Sequence, residues 1–249
     1  MIYLSFLFSS VVTSLISIPF LGQVEWNTVT LLLLIITGVF HAIYGFVLTF
    51  TYKNGDISTL YPIVRGSGIG GAVILSLFVL HEELSHLSGF GVFTVISGIA
   101  VLSYRRNRKA TSPKGIFLAL VCGSLIMSYT IFDKLLVAEV HPIPVMAASQ
   151  VISATIFLPY VLIKRRDELK RTAKTLLTPT ILVSIIATCS YLIILFVMQI
   201  APVSRIVAVR EASVVFGALT GYIILKEHFS ATRLIGVALV MVGIILVKL

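Results

Sequence analysis

The chain has 249 residues, of which 58% are hydrophobic and 12% are charged, and its mean hydropathy is +1.07. A soluble domain carries about twice that share of charged residues, so the composition excludes an ordinary water-soluble fold and predicts a polytopic membrane protein. The net charge of +9 does not indicate nucleic-acid binding, because five of the 19 Lys and Arg residues fall in loop 105–114 and six more in loop 164–174.

Nine apolar segments follow one another along the chain, each near the length of about 20 residues that a membrane-spanning helix needs. In chain order, segments I to IX cover about 3–21, 27–52, 57–80, 88–104, 115–137, 142–163, 176–200, 202–225 and 231–249. Segment I lacks the basic start and the small-residue cleavage site of a signal peptide, so we expect a spanning helix there too. The predicted fold class is therefore all-α integral membrane, with about nine transmembrane helices.

An internal repeat is found when the chain is shifted by 145 residues. At that offset Arg65 meets Arg210, and segments I to IV overlie segments VI to IX without a gap. Segment V has no earlier partner, so we expect a five-helix repeat whose first copy, 1–104, has four helices and whose second copy is 115–249, with the basic loop 105–114 between them. Either the given sequence starts too late to include the missing helix, or the protein has nine. An odd number of helices per repeat inverts the second copy.

Segments III and VIII each carry an arginine inside their apolar run, Arg65 and Arg210. An intramembrane charge costs about 3 kcal/mol and commonly marks a substrate pathway. We therefore predict that the two arginines face a shared central cavity and attract a carboxylate or a phosphate. Alternatively, they close hydrogen bonds between helices or extend toward the membrane surface. Glu211, which aligns with Gly66 and has no repeat partner, is predicted to be either a proton-coupling carboxylate or a counter-charge for a neighbouring helix.

Three further residues are candidates for the cavity wall. His41 and Tyr44 share one face of segment II at i, i+3 spacing, and Tyr61 lies one turn before Arg65. A lone intramembrane histidine is more often a satisfied core residue than a ligand, so both interpretations stay open for His41. The complete set of substrate-binding candidates is Arg65, Arg210, Glu211, His41, Tyr44 and Tyr61.

Small residues follow patterns that are typical of close helix packing. The run 66–71 formally matches a dinucleotide-binding motif, but it lies inside an apolar segment and not after a strand. Together with Gly217-x-x-x-Gly221, it is better explained by helices that approach one another closely, either in static packing or as smooth faces along which helices slide. Glu82 and Glu227 recur at the ends of segments III and VIII, where we expect each to cap the next helix at its N-terminus.

The chemical motifs of enzymes and metal sites are not found in the sequence. Cys122 and Cys189 are isolated thiols within apolar runs, without the spacing of a metal site or a disulfide framework. No nucleotide-binding, hydrolase or metalloprotease motif is present. We therefore expect no catalytic residues, no metal and no cofactor.

The ends of the two predicted copies share one pattern: a proline-containing helix, small residues, a terminal glutamate and a glycine-rich last helix. Its residues are Pro62, Gly70, Gly71, Glu82, Gly91 and Gly98 in the first copy, and Pro202, Gly217, Gly221, Glu227, Gly236 and Gly243 in the second. In this pattern the chain resembles the drug/metabolite transporter superfamily, specifically transporters built from two EamA domains. The resemblance implies ten helices in two inverted five-helix repeats, the first helix being absent here, with segments II, III, VII and VIII lining the substrate cavity.

The resemblance and the charges together predict a secondary transporter that moves a small organic metabolite or drug by alternating access, in the export direction. We expect an anionic or amino acid-like substrate, with proton coupling left open, and a multi-pass location in a bacterial inner membrane. The lipid bilayer and the solute would be its partners, and nucleic acid would not. Two alternatives remain: a lipid-modifying membrane enzyme using the loop that runs from His81 to His86, and a non-transporting membrane partner protein.

Overall fold

The structure is a computed structural model that describes residues 2–55, 57–102, 112–216 and 231–248. Every regular element in these ranges is helical, which confirms the predicted all-α class. The helices are α1 (Ile2–Ser17, continued by a 3-10 turn at Ile18–Gln23), α2 (Thr28–Lys53), α3 (Ile57–Val79), α4 (His86–Leu102), α5 (Pro113–Glu139), α6 (Pro142–Lys164), α7 (Arg166–Thr175), α8 (Leu177–Ile200), α9 (Val203–Arg210) and α10 (Ala231–Lys248).

Within the described ranges, six helical stretches are long and apolar enough to cross a bilayer: Tyr3–Gln23, Thr28–Lys53, Thr59–Val79, Pro113–Glu139, Pro142–Lys164 and Leu177–Ile200. They correspond to segments I, II, III, V, VI and VII. Two shorter apolar helices, His86–Leu102 and Leu234–Val247, correspond to segments IV and IX. Large apolar side chains such as Phe78 and Ile163 are exposed along these helices, as expected for surfaces that contact lipid.

Two predicted elements differ in the structure. Segment VIII is not one continuous helix, because α9 ends at Arg210, Glu211 forms a turn, and helix resumes at residues 212–216. The charged loop 164–174 is largely helical, since its polar residues form α7, which buries no side chain. Residues 105–111 of the other basic loop, the motif Gly217-x-x-x-Gly221 and Glu227 lie outside the described residues.

The first of two compact units comprises Met1–Gly45 and Phe132–Ile200. In it, α1 packs against α6 and α8. Gly38 lets α2 approach α6 closely, because a Cβ atom at this position would lie 2.7 Å from the Ile152 side chain. The Ser153 hydroxyl donates to the Gly38 carbonyl at 3.3 Å across the same contact. The α2–α6 packing therefore needs a glycine at position 38.

Side chains of α5 and α8 cap one another's C-terminal ends in this unit. Lys134 of α5 donates to the Met198 carbonyl of α8 at 2.5 Å, and Gln199 of α8 donates to the Val137 carbonyl of α5 at 3.1 Å. The last carbonyls of a helix have no partner within it, and a cation stabilises the negative end of the helix dipole. These two bonds fix the register of α5 against α8.

The second compact unit comprises Phe46–Ile131 and Ala201–Leu249, and its α4 and α10 pack backbone against backbone. A Cβ atom at Gly91 would lie 2.8 Å from the Gly243 carbonyl oxygen, and one at Gly98 would lie 2.9 Å from the Gly236 carbonyl oxygen. The shift of 145 residues carries Gly91 onto Gly236 and Gly98 onto Gly243. When the two sequence copies are exchanged, the Gly91–Gly243 contact becomes the Gly236–Gly98 contact and the reverse. The pair of contacts is therefore symmetric between the copies.

The N-terminus of α9 is capped by a carboxylate from the turn between α3 and α4. Glu82 accepts a hydrogen bond from the Val203 amide at 2.6 Å and others from the amide and hydroxyl of Ser204, each at 3.3 Å. The next helix, α4, uses Ser85 as its own cap. The prediction that Glu82 caps the next helix was therefore wrong: it caps α9, where it satisfies free amides and lies at the positive end of the helix dipole.

Candidate functional site

The break after α9 brings two charged side chains together in the second unit. Glu211 has φ −73° and ψ −4°, and its amide donates to the Ala208 carbonyl at 3.1 Å, in the tighter i, i+3 pattern. Val214 in turn donates to the Glu211 carbonyl at 3.0 Å. In a regular helix, consecutive side chains point about 100° apart, but here Arg210 Nε lies 3.7 Å from Glu211 Oε1. The turn allows the two neighbouring charges to meet.

Arg65 of α3 makes the main contact with the Glu211 carboxylate. Its Nε atom donates to Oε2 at 3.2 Å, and its Nη2 atom lies 2.7 Å from Oε1. The Glu211 side chain is 0% exposed, and that of Arg65 is 19% exposed. One hydrogen bond and one short ion-pair contact thus hold both carboxylate oxygens against the guanidinium group, although Oε1 accepts no hydrogen bond among the described residues. It joins α3 to the break after α9.

The cluster of Arg65, Arg210 and Glu211 has more positive than negative charge. Two guanidinium groups face one carboxylate, which leaves one positive charge in excess when all three are ionised. Arg210 is 13% exposed, and its buried Nε and Nη2 atoms have no hydrogen-bond partner among the described residues. Buried donors without partners are costly. Among the described residues, the cluster therefore has two hydrogen-bond donors of Arg210 without an acceptor and one positive charge in excess.

Tyr61 extends this cluster by one turn of α3. It is half-buried, and its hydroxyl interacts with the Arg65 guanidinium. The hydroxyl also interacts electrostatically with Arg210 and Glu211. Four of the six sequence candidates therefore lie together in the second unit.

A second buried polar cluster lies in the first unit, around Asp133 of α5. The Thr37 hydroxyl of α2 donates to Oδ1 at 2.5 Å, and the Tyr191 hydroxyl of α8 donates to Oδ2. His41 Nε2 lies 3.8 Å from Oδ2, and the Asp133 side chain is 1% exposed. The His41 and Tyr191 rings pack edge to face with their centroids 5.5 Å apart. Three helices thus converge on one buried carboxyl group.

His41 and Tyr44, the remaining sequence candidates, belong to the first unit. His41 joins the Asp133 cluster, and Tyr44 is half-buried three residues further along α2. The sequence reasoning missed Asp133 and Tyr191. Asp133 falls near the end of segment V beside Lys134, where a charged pair suggests the membrane surface. The rule applied to Arg65, that an ionisable residue inside an apolar segment is a functional candidate, would have found it.

The structure gives little support to an enzyme site in the loop from His81 to His86. Glu82 is used as the cap of α9, and His81 has a left-handed backbone conformation with φ 53°. Among the described residues there is no group of three or more His, Cys, Asp or Glu side chains that could hold a metal ion.

A small, partly open pocket of about 90 Å³ lies in the first unit between α1, α6 and α8. Its lining is mostly apolar, with a few hydroxyl groups such as Thr188, which donates to Ser9 at 2.7 Å. None of the six sequence candidates lines it. It therefore adds no charged or hydrogen-bonding group to the candidate site.

Comparison with known proteins gives one family and one fold. Residues 113–249 match the model of the EamA-like transporter family, a range that begins two residues before the predicted second copy. No curated protein is significantly similar in sequence. One similar solved structure is described as "Crystal structure of protein". It has a TM-score of 0.79 and 18% sequence identity to this chain, and the similarity covers 99% of this chain and 87% of that one. At this identity the likeness shows the fold alone.

Proposed function

Because the chain belongs to the EamA-like transporter family, and is thus a multi-pass membrane transporter of the drug/metabolite type, we propose that it moves a small anionic or zwitterionic organic solute by alternating access. The observation that carries the proposal is the buried Arg65–Glu211–Arg210 cluster at the break after α9. Export across a bacterial inner membrane is the direction and location that we infer from the family resemblance.

The charge of the cluster favours a solute with a carboxylate or a phosphate group. Glu211 compensates one guanidinium group, and Arg210 keeps buried donors without a partner among the described residues. A bound anion would supply both the missing hydrogen-bond acceptor and the missing negative charge. An amino acid-like solute could in addition place its ammonium group near Glu211.

The interrupted helix supports a role in substrate binding. Glu211 keeps helical dihedral angles, but its i, i+3 hydrogen bonds form a tighter turn, and a tightened turn inside a helix often marks a functional position. The turn at Glu211 lies between α9 and residues 212–216 and carries the two charged side chains. We therefore propose Arg210 as the substrate anchor, with Arg65 and Glu211 as the pair that holds it in place and Tyr61 as a wall residue.

Uptake by purified protein in liposomes tests the proposal. A panel of anionic, zwitterionic and cationic metabolites would be offered to vesicles that contain wild-type protein, the Arg210→Gln variant or the Arg65→Gln variant. Arg205→Gln is the matched control, because Arg205 lies on the same helix with its side chain exposed. Accumulation of a carboxylate- or phosphate-bearing solute that is lost in the first two variants and kept in the control supports the proposal. Transport of no solute, or of cationic solutes only, contradicts it.

A further inference from the structure

We propose that Asp133 and His41 form a proton-binding site, with one proton carried on Asp133 Oδ2, the carboxyl oxygen nearer to His41 Nε2. The inference deepens the proposed transport function, on which its coupling role rests, and it assigns the coupling ion to the first unit. The proton site itself is a property of the Asp133, His41, Thr37 and Tyr191 side chains. It can be measured without any solute.

The Asp133 carboxyl group is removed from water and held from two sides. It is 1% exposed, and the hydroxyl groups of Thr37 and Tyr191 each donate to one of its oxygens. Two hydroxyl donors orient the group, but neither brings a positive charge. A buried carboxylate without a close cation is costly, and binding a proton removes that cost.

The tautomer of His41 follows from its other ring nitrogen. Nδ1 lies 2.9 Å from the Thr37 carbonyl oxygen, and a carbonyl oxygen can only accept, so Nδ1 carries a proton. In the neutral imidazole, Nε2 then has no proton, and this nitrogen lies 3.8 Å from Asp133 Oδ2. Two groups that both accept protons therefore face each other, and one added proton turns this unfavourable contact into a favourable one.

The groups around the pair place the proton on the carboxyl. In the part of the chain that the structure describes, the ionisable groups that act on Asp133 are His41 from α2 and Tyr191 from α8. Lys134, its neighbour on α5, donates to the Met198 carbonyl at the end of α8. One H⁺ from water bound at Oδ2 changes the net charge of the Asp133–His41 pair from −1 to 0 and leaves both side chains neutral. A proton on Nε2 would leave two buried charges 3.8 Å apart, too far for a hydrogen bond.

Infrared difference spectra between acidic and alkaline pH, recorded on the protein in lipid films, test the site directly. We expect the wild type to show a carboxylic-acid C=O band that Asp133→Asn removes. Glu211→Gln, which changes the other fully buried carboxyl group among the described residues, should keep this band. Tyr191→Phe should shift its frequency, since one hydrogen bond to the carboxyl is lost. His41→Gln should move the pH midpoint of the band by about one unit or more.

Two outcomes overturn the proton site. One is a folded Asp133→Asn protein whose difference spectrum equals that of the wild type. The other, which decides the question if Asp133→Asn does not fold, is a band that neither Tyr191→Phe nor His41→Gln changes in frequency or midpoint.

Flux measurements separate this inference from the proposed function. In liposomes, a pH gradient should drive transport by the wild type, while Asp133→Asn should still exchange solute across the membrane without responding to the gradient. Flux that ignores the pH gradient, or follows a sodium gradient instead, rejects the coupling role and leaves the transporter standing. Absence of flux together with an Asp133 band rejects the transporter and leaves the proton site standing.

Discussion

Glu211 decides the charge balance of the second unit. Its side chain is 0% exposed, and it is the carboxylate that faces both Arg65 and Arg210. Removing one partner of a buried ion pair costs more than the pair contributes, because the remaining charge stays buried without compensation. Here two guanidinium groups would remain, so the penalty falls on both.

We expect Glu211→Gln to destabilise the protein by ~3–5 kcal/mol, measured as a lower thermal unfolding temperature in detergent. Glu168→Gln is the control, because Glu168 pairs with Arg165 at the exposed surface of α7, and such a pair contributes at most about 1 kcal/mol. Equal unfolding temperatures for Glu211→Gln and the wild type would show that the Arg65–Glu211 contact is not formed. In the Arg65→Gln, Glu211→Gln double variant, the loss should be smaller than the sum of the two single losses.

At the scale of the elements, the Glu82 cap connects the turn after α3 to the start of α9. We expect Glu82→Ala to cost about 1–2 kcal/mol, because the Val203 and Ser204 amides lose an ionised acceptor at a helix N-terminus. Glu83→Ala, a change in the exposed neighbouring carboxylate, should stay within about 0.5 kcal/mol of the wild type. If the two variants unfold at the same temperature, Glu82 does not cap α9.

The glycine contact between α4 and α10 can be tested with a single methyl group. At Gly98 a Cβ atom would lie 2.8 Å from the Val240 amide nitrogen, whereas at Gly70 of α3 the nearest atom is a methyl of Ile96 at 3.6 Å. We expect Gly98→Ala to cost roughly 1–3 kcal/mol by overpacking. Gly70→Ala should be neutral or stabilise α3 by up to about 1 kcal/mol. Both variants would be measured by chemical denaturation, and equal unfolding free energies for Gly98→Ala and Gly70→Ala would contradict a backbone contact between α4 and α10.

Apolar runs of the right length allowed the helices to be predicted, because the bilayer sets their length and composition. The break at Glu211 was not predictable in this way, because residues 202–225 are hydrophobic enough for one helix and residues 206–216 contain no Pro or Gly that would predict a break. The repeat aligned Arg65 with Arg210, but it could not show that both would face one carboxylate. Tertiary contacts decide such details, and a repeat pattern does not contain them.

The Asp133 cluster was missed for a related reason. Thr37 and His41 share one face of α2 at i, i+4 spacing, which the sequence shows, but Asp133 and Tyr191 come from segments far along the chain. The assignment of 1–104 and 115–249 as inverted repeats stays a prediction. The exchange-symmetric contacts of Gly91 with Gly243 and Gly98 with Gly236 support it at one interface.

At the scale of the whole molecule, the two charged clusters are proposed to have two different tasks. The arginine-rich cluster of the second unit would bind the solute, and the carboxyl–imidazole cluster of the first unit would bind the coupling proton. The proposed tasks differ because the clusters differ in charge: among the described residues, one has two guanidinium groups facing one carboxylate, and the other has a buried carboxyl group whose basic neighbour is the His41 imidazole, 3.8 Å away. The two clusters share no side chain, so a substitution in one cluster removes no group of the other.

The most direct test of the account is the concentration dependence of solute uptake into liposomes by the wild type and by Arg210→Gln. Losing one charge-assisted contact worth about 1.5–3 kcal/mol should raise the half-saturating concentration of a carboxylate- or phosphate-bearing solute by ~10–100-fold. Arg205→Gln should leave that concentration unchanged. An Arg210→Gln protein that is folded and transports the same solute with the half-saturating concentration of the wild type would contradict the assignment of Arg210 as the substrate anchor.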